Sequence, residues 1–284
     1  MKTDSSSPNQ ITDYLLTRAD YNLSQQSLNL KQSQVQDEMD FLGGIGRSFK
    51  IMSEYQVEDP FAPESPLVVN IGCLTGTAYM TGLRTYFTAY SPLKRTIQGA
   101  PMASWSAMSG SFGRKYRSTG LDDLVLTGRA ARPSILVLRQ GSDGPEISLD
   151  DAPDSMIGAV TPEKFKWLNE NYNQPEKRKY HAHFSVIGPA GENWDKVWYA
   201  CIVGSTQEQL MSGEDKFRFA GRLGMGSVLG SKNILAIVAY AEKDDYPKGD
   251  ERLKPINQEI GRGDQSKVYR HPMNRDGGGG TGRL

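Results

Sequence analysis

Short apolar runs rich in β-branched and aromatic residues recur along the chain, and glycine- and proline-rich turns separate them. Runs of this length bounded by turn residues predict buried β-strands. Leucine and tyrosine also recur among polar residues between 13 and 36, a pattern that predicts a β-hairpin. The predicted strands outside this hairpin cover residues 67–71, 84–90, 121–127, 134–138, 184–187, 198–203 and 234–240.

Helical patterns are few and short. Residues 37–53 carry an apolar stripe that predicts a helix, although glycines at 43, 44 and 46 lower its helix propensity. Residues 162–171 predict a second helix, with Thr161 as its N-cap and Glu163 in the first turn. Residues 227–232 predict one helical turn. Strands therefore dominate the expected fold, and helices are minor.

Stretches without a clear period divide the chain. Residues 94–114 are rich in Gly, Ser, Met and Ala and predict a loop, and residues 140–160 predict a polar, acidic linker. Residues 1–12 predict a flexible N-terminus before a main domain at 13–240. The hydrophilic segment 241–284 cannot form a core of its own. We expect it to be disordered or to lie across a partner subunit.

Composition excludes several function classes. The 284 residues contain 33 Lys+Arg and 33 Asp+Glu, so no net charge attracts nucleic acid. No apolar run approaches the length of about 18 residues that a membrane helix needs, and the N-terminus has no signal-peptide core. These features predict a cytoplasmic protein. The 30 glycines favour a turn-rich α+β fold over a helical bundle.

The chain has only two cysteines, Cys73 and Cys201. Without a CxxC motif it cannot supply the four thiolates of an ordinary [4Fe–4S] cluster. We expect two buried thiols in strands and no disulfide in a reducing compartment. His181 and His183 are too few for a metal site without a third ligand. Together with Glu192, they are the candidate acid or base groups, although no sequence feature singles them out.

Two glycine-rich blocks carry the strongest signal for chemistry, IGPAGEN at 187–193 and AGRLGMGSVLGSKN at 220–233. Glycine lets backbone N–H groups approach an anion, and Arg222 and Lys232 add positive charge. The spacing fits neither a P-loop nor a dinucleotide fingerprint. The alternative is a glycine-lined turn that only packs a helix on a sheet.

Five blocks in the same order resemble the N-terminal domain of the aldehyde ferredoxin oxidoreductase family. They are FLGGIG at 41–46; DPFAPESPL at 59–67; GCLTGT at 72–77 with Arg84 and SPL at 91–93; SFG at 111–113 with GLDDLVLTGRA at 120–130; and the two glycine-rich blocks. The resemblance covers about residues 15–240. It implies a fold of two β-sheets with short helices that forms the base for a bis-pterin cofactor.

The resemblance also implies a set of cofactor-binding residues. In that family, tungsten (or molybdenum) lies between two pyranopterins, and Mg²⁺ bridges their phosphates, bound partly by backbone carbonyls. Arg84 matches an arginine between pterin and iron–sulfur cluster, and the main-chain carbonyl of Phe219 is the expected magnesium ligand. The implied cofactor-binding residues are Arg84, Met108, Ser109, Gly110, Arg218, Phe219, Ala220, Gly221, Arg222, Gly224 and Lys232.

Some positions depart from the family pattern. The stretch between Leu93 and Phe112 is several residues longer, and the family's asparagine near Met108 has no clear counterpart. Leu223 replaces a glycine, and residues 207–216 are inserted before the second cofactor segment. These departures leave an alternative open, in which the chain is a scaffold or assembly subunit that has lost the cofactor. An unrelated anion-binding module is a further alternative.

The length of the sequence, 284 residues, leads us to expect a split enzyme, because family enzymes continue for several hundred residues. This chain would bind the pterins and would be inactive alone. A larger partner subunit would carry the [4Fe–4S] cysteines and the substrate pocket. The expected reaction is the two-electron interconversion of aldehyde and carboxylic acid, with a ferredoxin-like electron acceptor and no nucleic-acid partner.

Overall fold

Two six-stranded β-sheets face each other in the computed structural model, which describes residues 15–77, 82–243 and 253–262. Seven short α-helices accompany the sheets, so the predicted α+β fold with two sheets is confirmed. The predicted flexible segment 1–12 lies outside the described residues. Most of segment 241–284 does so too.

The first sheet, sheet A, is built from the N-terminal half of the described chain. Its strand order is β2-β1-β6-β3-β4-β5, and all neighbours are antiparallel except β1 and β6. The predicted hairpin at 13–36 is confirmed as β1 and β2. The strands are β1 Leu15–Asn22, β2 Ser27–Gln34, β3 Leu67–Ile71, β4 Thr85–Arg95, β5 Pro101–Met108 and β6 Asp123–Thr127.

The second sheet, sheet B, follows entirely after the first in sequence. Its order is β11-β10-β9-β12-β7-β8, with β12 and β7 parallel and the other neighbours antiparallel. The turn at 128–133 therefore leads from one sheet to the other. The strands are β7 Ser134–Gln140, β8 Pro145–Asp151, β9 Ala182–Val186, β10 Ile202–Gly204, β11 Arg218–Ala220 and β12 Ile234–Tyr240.

The helix predicted at 37–53 is divided in two. A 3₁₀ segment, Val35–Phe41, precedes a true α-helix that begins at Gly44. The break falls at Gly43, where a Cβ would lie 2.8 Å from the carbonyl oxygen of Ile71, so only glycine fits against β3. The α-helices are α1 Gly44–Met52, α2 Phe112–Arg117, α3 Thr161–Tyr172, α4 Pro189–Glu192, α5 Gln207–Ser212, α6 Met225–Ser231 and α7 Leu253–Arg262.

The predicted helix at 162–171 is confirmed as α3, but its N-cap prediction was wrong. Val160 occupies the cap position, no side chain caps the helix, and Thr161 is already its first residue. Pro162 occupies the first turn, where a missing N–H costs nothing because that group has no partner within the helix.

Two predictions of irregular structure were also wrong. The stretch 94–114 contains the end of β4, all of β5 and the start of α2, and the stretch 140–160 contains β8. Both strands lie at or near a sheet edge and carry small or acidic side chains. Pairing with β4 and β7 stabilises them where their own hydrophobicity is low.

The main core lies between the facing sheets, and burial of one large apolar side chain there contributes about 1.5–3 kcal/mol. A smaller cluster lies on the outer face of sheet A, where α1 packs over β3 and β6. β3 is buried along its whole length because the core covers one face and α1 the other. Buried residues at the centre include Val69, Phe87, Leu124, Leu136, Phe184 and Val238.

Candidate cofactor-binding site

Sheet A and sheet B meet where their end strands, β5 and β11, come into contact. The backbone N–H of Arg222 donates to the Ser106 hydroxyl across this contact at 3.1 Å. Beside it, a Cβ on Gly110 would lie 3.1 Å from Cγ of Arg218, and the φ of Gly110 is +106°. We call residues 106–110 and 218–222 the seam. It brings both predicted cofactor segments together.

Three predicted arginines are exposed at or next to the seam. Arg218 and Arg222 come from the β11 side. Thr85 pairs with Met108 in the β4–β5 ladder, so the next residue on each strand, Arg84 and Ser109, lies at the same end of the hairpin. The structure therefore places the arginines on the two sides of one surface.

The seam contains two arginines and no acidic side chain. Within the described ranges, none of the guanidinium groups of Arg84, Arg218 and Arg222 forms an ion pair with a carboxylate. The sequence contains no acidic residue between Glu64 and Asp122. Guanidinium groups and backbone amides are the donors that bind phosphate in proteins. The geometry and the charge therefore fit an anionic ligand with phosphate groups.

A buried arginine, which sequence reasoning missed, binds residues 72–75 in the turn after β3. The Arg117 guanidinium donates to the carbonyls of Gly72 and Cys73, each at 3.1 Å, and to that of Thr75. The Thr75 hydroxyl in turn donates to the carbonyl of Arg84 at 2.9 Å. Arg117 belongs to a basic run in α2, and nothing in its sequence separates it from a solvated lysine or arginine.

Three seam positions present main chain more than side chain. Met108 is buried, and its sulfur packs against Gly204. A Cβ on Gly204 would lie only 2.5 Å from this sulfur. Ala220 is buried in β11, whereas Gly221 is exposed beside it. Ser109 is partly exposed. Contacts of Met108 and Ala220 with a ligand would therefore come from the backbone.

Phe219 lies in β11, the edge strand of sheet B, and its side chain is 56% exposed. An edge strand has backbone groups on its outer side without a neighbouring strand. Among the described residues, no cluster of three or more His, Cys, Asp or Glu side chains could hold a metal ion. A magnesium ion at this edge would need carbonyl and ligand oxygens, which suit this hard cation.

The structure places Lys232 away from the seam. The residue is 1% exposed, and its ammonium donates to the carbonyls of Ser65 at 2.6 Å, Pro63 at 3.3 Å and Gly128 at 3.4 Å. Burial, with the nearby charge of Arg129, lowers the pKa of Lys232 to about 7. Lys232 therefore has a structural role, and we leave it out of the proposed binding surface.

Gly224 also has a structural role. Its φ is +75°, and a Cβ there would overlap the carbonyl oxygen of Trp198. The neighbouring Leu223 adopts a φ of +61° without being a glycine. This strained position is the one where the resembled family has glycine. The turn therefore has a left-handed backbone conformation that favours glycine, although the residue here is leucine.

Two of the three predicted acid or base groups, His183 and Glu192, are held in structural contacts. The His183 ring is buried, with its Nδ1 2.9 Å from the Ser205 hydroxyl. Glu192 accepts hydrogen bonds from the fully buried Lys164 and from the Gly158 N–H at 2.8 Å. His181 instead lies beside Tyr240, with the ring centroids 6.1 Å apart.

The cysteine prediction was wrong for one residue and partly right for the other. Cys73 is exposed in the turn after β3. The guanidinium of Arg117 binds the Cys73 carbonyl and fixes the turn at the surface. Cys201 is half-buried just before β10, and burial raises the pKa of its thiol. Both cysteines are free, as expected.

Comparison with known proteins gives consistent matches. A family model described as aldehyde ferredoxin oxidoreductase, N-terminal domain, matches residues 20–241. A tungsten-containing aldehyde ferredoxin oxidoreductase of Pyrococcus abyssi is 32% identical over 200 residues, which cover 70% of this chain and 28% of that protein. The aliphatic sulfonate oxidoreductase WOR-like subunit of Pyrococcus furiosus is 28% identical over 210 residues, covering 70% of this chain and 30% of that protein.

A solved structure has the same fold. The active site complex BamBC of benzoyl coenzyme A reductase aligns with a TM-score of 0.70 and 23% identity over 91% of this chain and 35% of that one. The chain thus spans about 28% to 35% of the length of these proteins. Within the described part, no helix is long and apolar enough to cross a membrane.

Proposed function

This chain belongs to the aldehyde ferredoxin oxidoreductase family, and we propose that it is the cofactor-binding subunit of a split oxidoreductase with a tungsten (or molybdenum) bis-pyranopterin. The observation that carries the proposal is the seam, where exposed arginines without carboxylate partners, as described above, meet glycine-rich backbone. The seam is also where both cofactor segments implied by the family resemblance come together.

The residues of the seam would bind the two pterin phosphates from opposite sides. Arg218 and Arg222 would bind phosphate oxygens through charge-assisted hydrogen bonds. Ser109, Gly110 and Gly221 would offer main-chain groups, because small side chains allow a close approach. Arg84 would lie at the side of the cofactor that faces the iron–sulfur cluster. These roles position the cofactor and neutralise its charge.

When bound, the metal–pterin group supplies the two-electron redox chemistry. The protein's part is electrostatic: three positive charges in a surface with few acids stabilise a cofactor that carries two phosphates. The Phe219 carbonyl is our proposed protein ligand for Mg²⁺ between those phosphates. Met108 and Ala220 would contribute through their backbone only.

We further propose that a larger partner subunit completes the active site. The chain spans 28% of the tungsten-containing relative from P. abyssi, and its two cysteines cannot ligate an ordinary [4Fe–4S] cluster. The partner would carry that cluster and the substrate pocket and would pass electrons to a ferredoxin-like acceptor. Aldehyde and carboxylic acid interconversion is the proposed reaction, with this chain inactive alone.

The C-terminal segment 241–284 is our proposed contact with that partner. It contains α7, an amphipathic helix in which Ile256 is 48% exposed. The proposed domain division therefore has the two sheets at 13–240 as the cofactor-binding unit and the segment after 240 as an extension.

One observation favours a second candidate function. Leu223 stands in the glycine turn beside Arg222, and it is bulkier than the glycine of the family pattern. A side chain at this position could exclude a pterin, which would leave a scaffold or assembly subunit. The Ser106–Arg222 contact and the free arginines favour cofactor binding, because a scaffold has no need to keep unpaired cations together.

Elemental analysis of the native complex tests the proposal. The chain is purified anaerobically through an affinity tag, its metals are measured by ICP-MS, and copurifying subunits are identified by mass spectrometry. Tungsten or molybdenum together with iron and a cysteine-rich partner would support the split enzyme. A complex with the partner but without either metal would support the scaffold, and a metal-free chain that purifies alone would contradict both.

A further inference from the structure

The β4–β5 hairpin extends past the seam as an exposed arm. Ser91 and Pro92 are buried at its base, where the Ser91 hydroxyl donates to the Leu223 carbonyl at 2.8 Å. Every residue from Leu93 to Ala100 is exposed. At about 3.4 Å per strand residue, β4 continues roughly 10 Å beyond Pro92 before the chain turns. We call residues 93–100 the arm.

The arm carries apolar groups that no part of the described chain covers. Ile97 at its tip is fully exposed, and Leu93 and Met102 on the two strands are each more than 40% exposed. Isolated exposed apolar residues are common on protein surfaces. Three on the same projecting hairpin are unusual, and such a patch is typical of a surface that binds another protein.

The arm is also basic, and it has an ordered shape. Lys94 has no hydrogen-bond or ion-pair partner among the described residues. Arg95 donates to the Gly99 carbonyl at 2.8 Å. The Thr96 N–H donates to the Ala100 carbonyl at 2.8 Å, and the Ala100 N–H donates to the Thr96 hydroxyl at 3.1 Å, which closes the turn. The surface is therefore preorganised, which lowers the entropy cost of binding.

We propose that the arm inserts into an apolar groove with an acidic rim on the cluster-bearing partner subunit, an inference that rests on the proposed function. Two observations support the choice of this subunit as the protein that binds the arm. The arm is continuous with the seam through Ser91 and Leu223, so a subunit that covers the cofactor surface must pass beside it. Its charge is uniformly positive, which complements an acidic rim.

The arm also explains where this chain departs from its family. The stretch between Leu93 and Phe112 is longer than in the resembled pattern, and the structure places the arm at the start of that stretch. An enzyme in one polypeptide keeps its domains together by covalent linkage. In the proposed split enzyme, two separate chains need additional interface instead, and the arm would supply it.

Affinity purification of the full complex tests the arm. Ile97→Asp is compared with Ile157→Asp, an exposed isoleucine near the start of α3 in the other half of the molecule. Lys94→Glu with Arg95→Glu is compared with Lys166→Glu plus Lys177→Glu, two exposed lysines of the sheet B half. The readouts are partner yield at two salt concentrations and the metal content per chain.

We expect both arm variants to lower partner yield at least tenfold, and both controls to leave it unchanged. The charge variant should also remove most of the salt dependence of the complex. Circular dichroism checks that each variant is folded. Arm variants that keep the partner as the wild type does would overturn the arm proposal alone. A wild-type chain that purifies without a partner would contradict the split-enzyme proposal and the arm proposal together.

Discussion

The Ser106 hydroxyl accepts the backbone N–H of Arg222 at 3.1 Å, and this bond joins the end strands of two separate sheets. Ser106 is buried in β5, whereas Arg222 is exposed just after β11. The bond therefore sets the position of Arg222 relative to the hairpin that carries Ser109 and Gly110.

We predict that Ser106→Ala lowers cofactor content more than it lowers stability. Loss of one such hydrogen bond should cost about 1 kcal/mol in the free energy of unfolding, measured by urea titration. The control is Ser24→Ala, because Ser24 accepts the backbone N–H of another arginine, Arg129, at 2.9 Å far from the seam. Equal metal content in the two variants would count against a role for this bond in binding.

The seam arginines should matter for binding and not for folding. Arg84→Gln, Arg218→Gln and Arg222→Gln each remove a charge without a carboxylate partner among the described residues, so stability should change by less than about 0.5 kcal/mol. Metal per chain should fall several-fold for each variant. The control Arg132→Gln removes an exposed arginine that pairs with Asp151 at 3.1 Å, and it should leave metal content unchanged.

At position 223, the glycine variant should be more stable than the alanine variant, which is the reverse of the usual order. At a φ of +61°, Leu223→Gly should be more stable than Leu223→Ala by about 1 kcal/mol, because a Cβ is strained in this conformation. At Lys166 inside α3, the alanine variant should instead be more stable than the glycine variant, by about 1 kcal/mol in the free energy of unfolding. Thermal unfolding of the four variants measures both orders, and an alanine preference at 223 would contradict the observed backbone.

Glu192→Gln should act on stability. Lys164 is fully buried and donates to Glu192 and to the Ile187 carbonyl at 2.9 Å. Removal of the carboxylate leaves a buried ammonium without its counter-charge, at an expected cost of about 3 kcal/mol. Activity per folded molecule should stay the same. The exposed Glu163→Gln is the control, and a large fall in activity at unchanged stability would instead assign Glu192 a catalytic role.

Lys232→Met should change the pH dependence of stability. The folded pKa of Lys232 is about 7 against an ordinary 10.5, so the unfolded chain binds more protons between these values. The wild type should therefore gain stability relative to the variant as the pH rises from about 7 toward 10, by at most about 1.4 kcal/mol per pH unit.

Urea unfolding at several pH values measures this slope. Arg129 and Glu64 are the charged groups that act on Lys232 in the structure. The exposed Lys31→Met serves as a control for the loss of a lysine side chain. A constant difference between wild type and Lys232→Met across the range would mean that the ammonium stays charged throughout.

Sequence patterns predicted the strongly apolar elements well. β3 and β12 have the bounds that their β-branched runs indicate, because both strands are covered on both faces. β5 and β8 were missed because their side chains are small or acidic, and they are strands only through their neighbours. The information for an edge strand of this kind lies in the partner strand and not in its own residues.

In the candidate site too, the sequence alone does not tell which residues are exposed and which are buried. Arg218 and Arg222, which the sequence predicts as cofactor-binding residues, are exposed at the seam beside Gly110 and Ser106. Lys232, from the same glycine-rich block, faces inward to three carbonyls. Sequence alone could not separate Arg222 from Lys232, because the difference depends on the direction in which α6 ends. Ser106 and Arg117 were missed because their roles exist only through contacts distant in sequence.

The segregation of the two sheets has a consequence for assembly. All strands of sheet A come from residues 15–127 and all strands of sheet B from 134–240, so each sheet can form from one continuous stretch of chain. β5 of sheet A and β11 of sheet B are separated by more than 100 residues of chain. The seam can therefore form only after both sheets have folded and docked, so any ligand that needs both sides of it binds after these two steps.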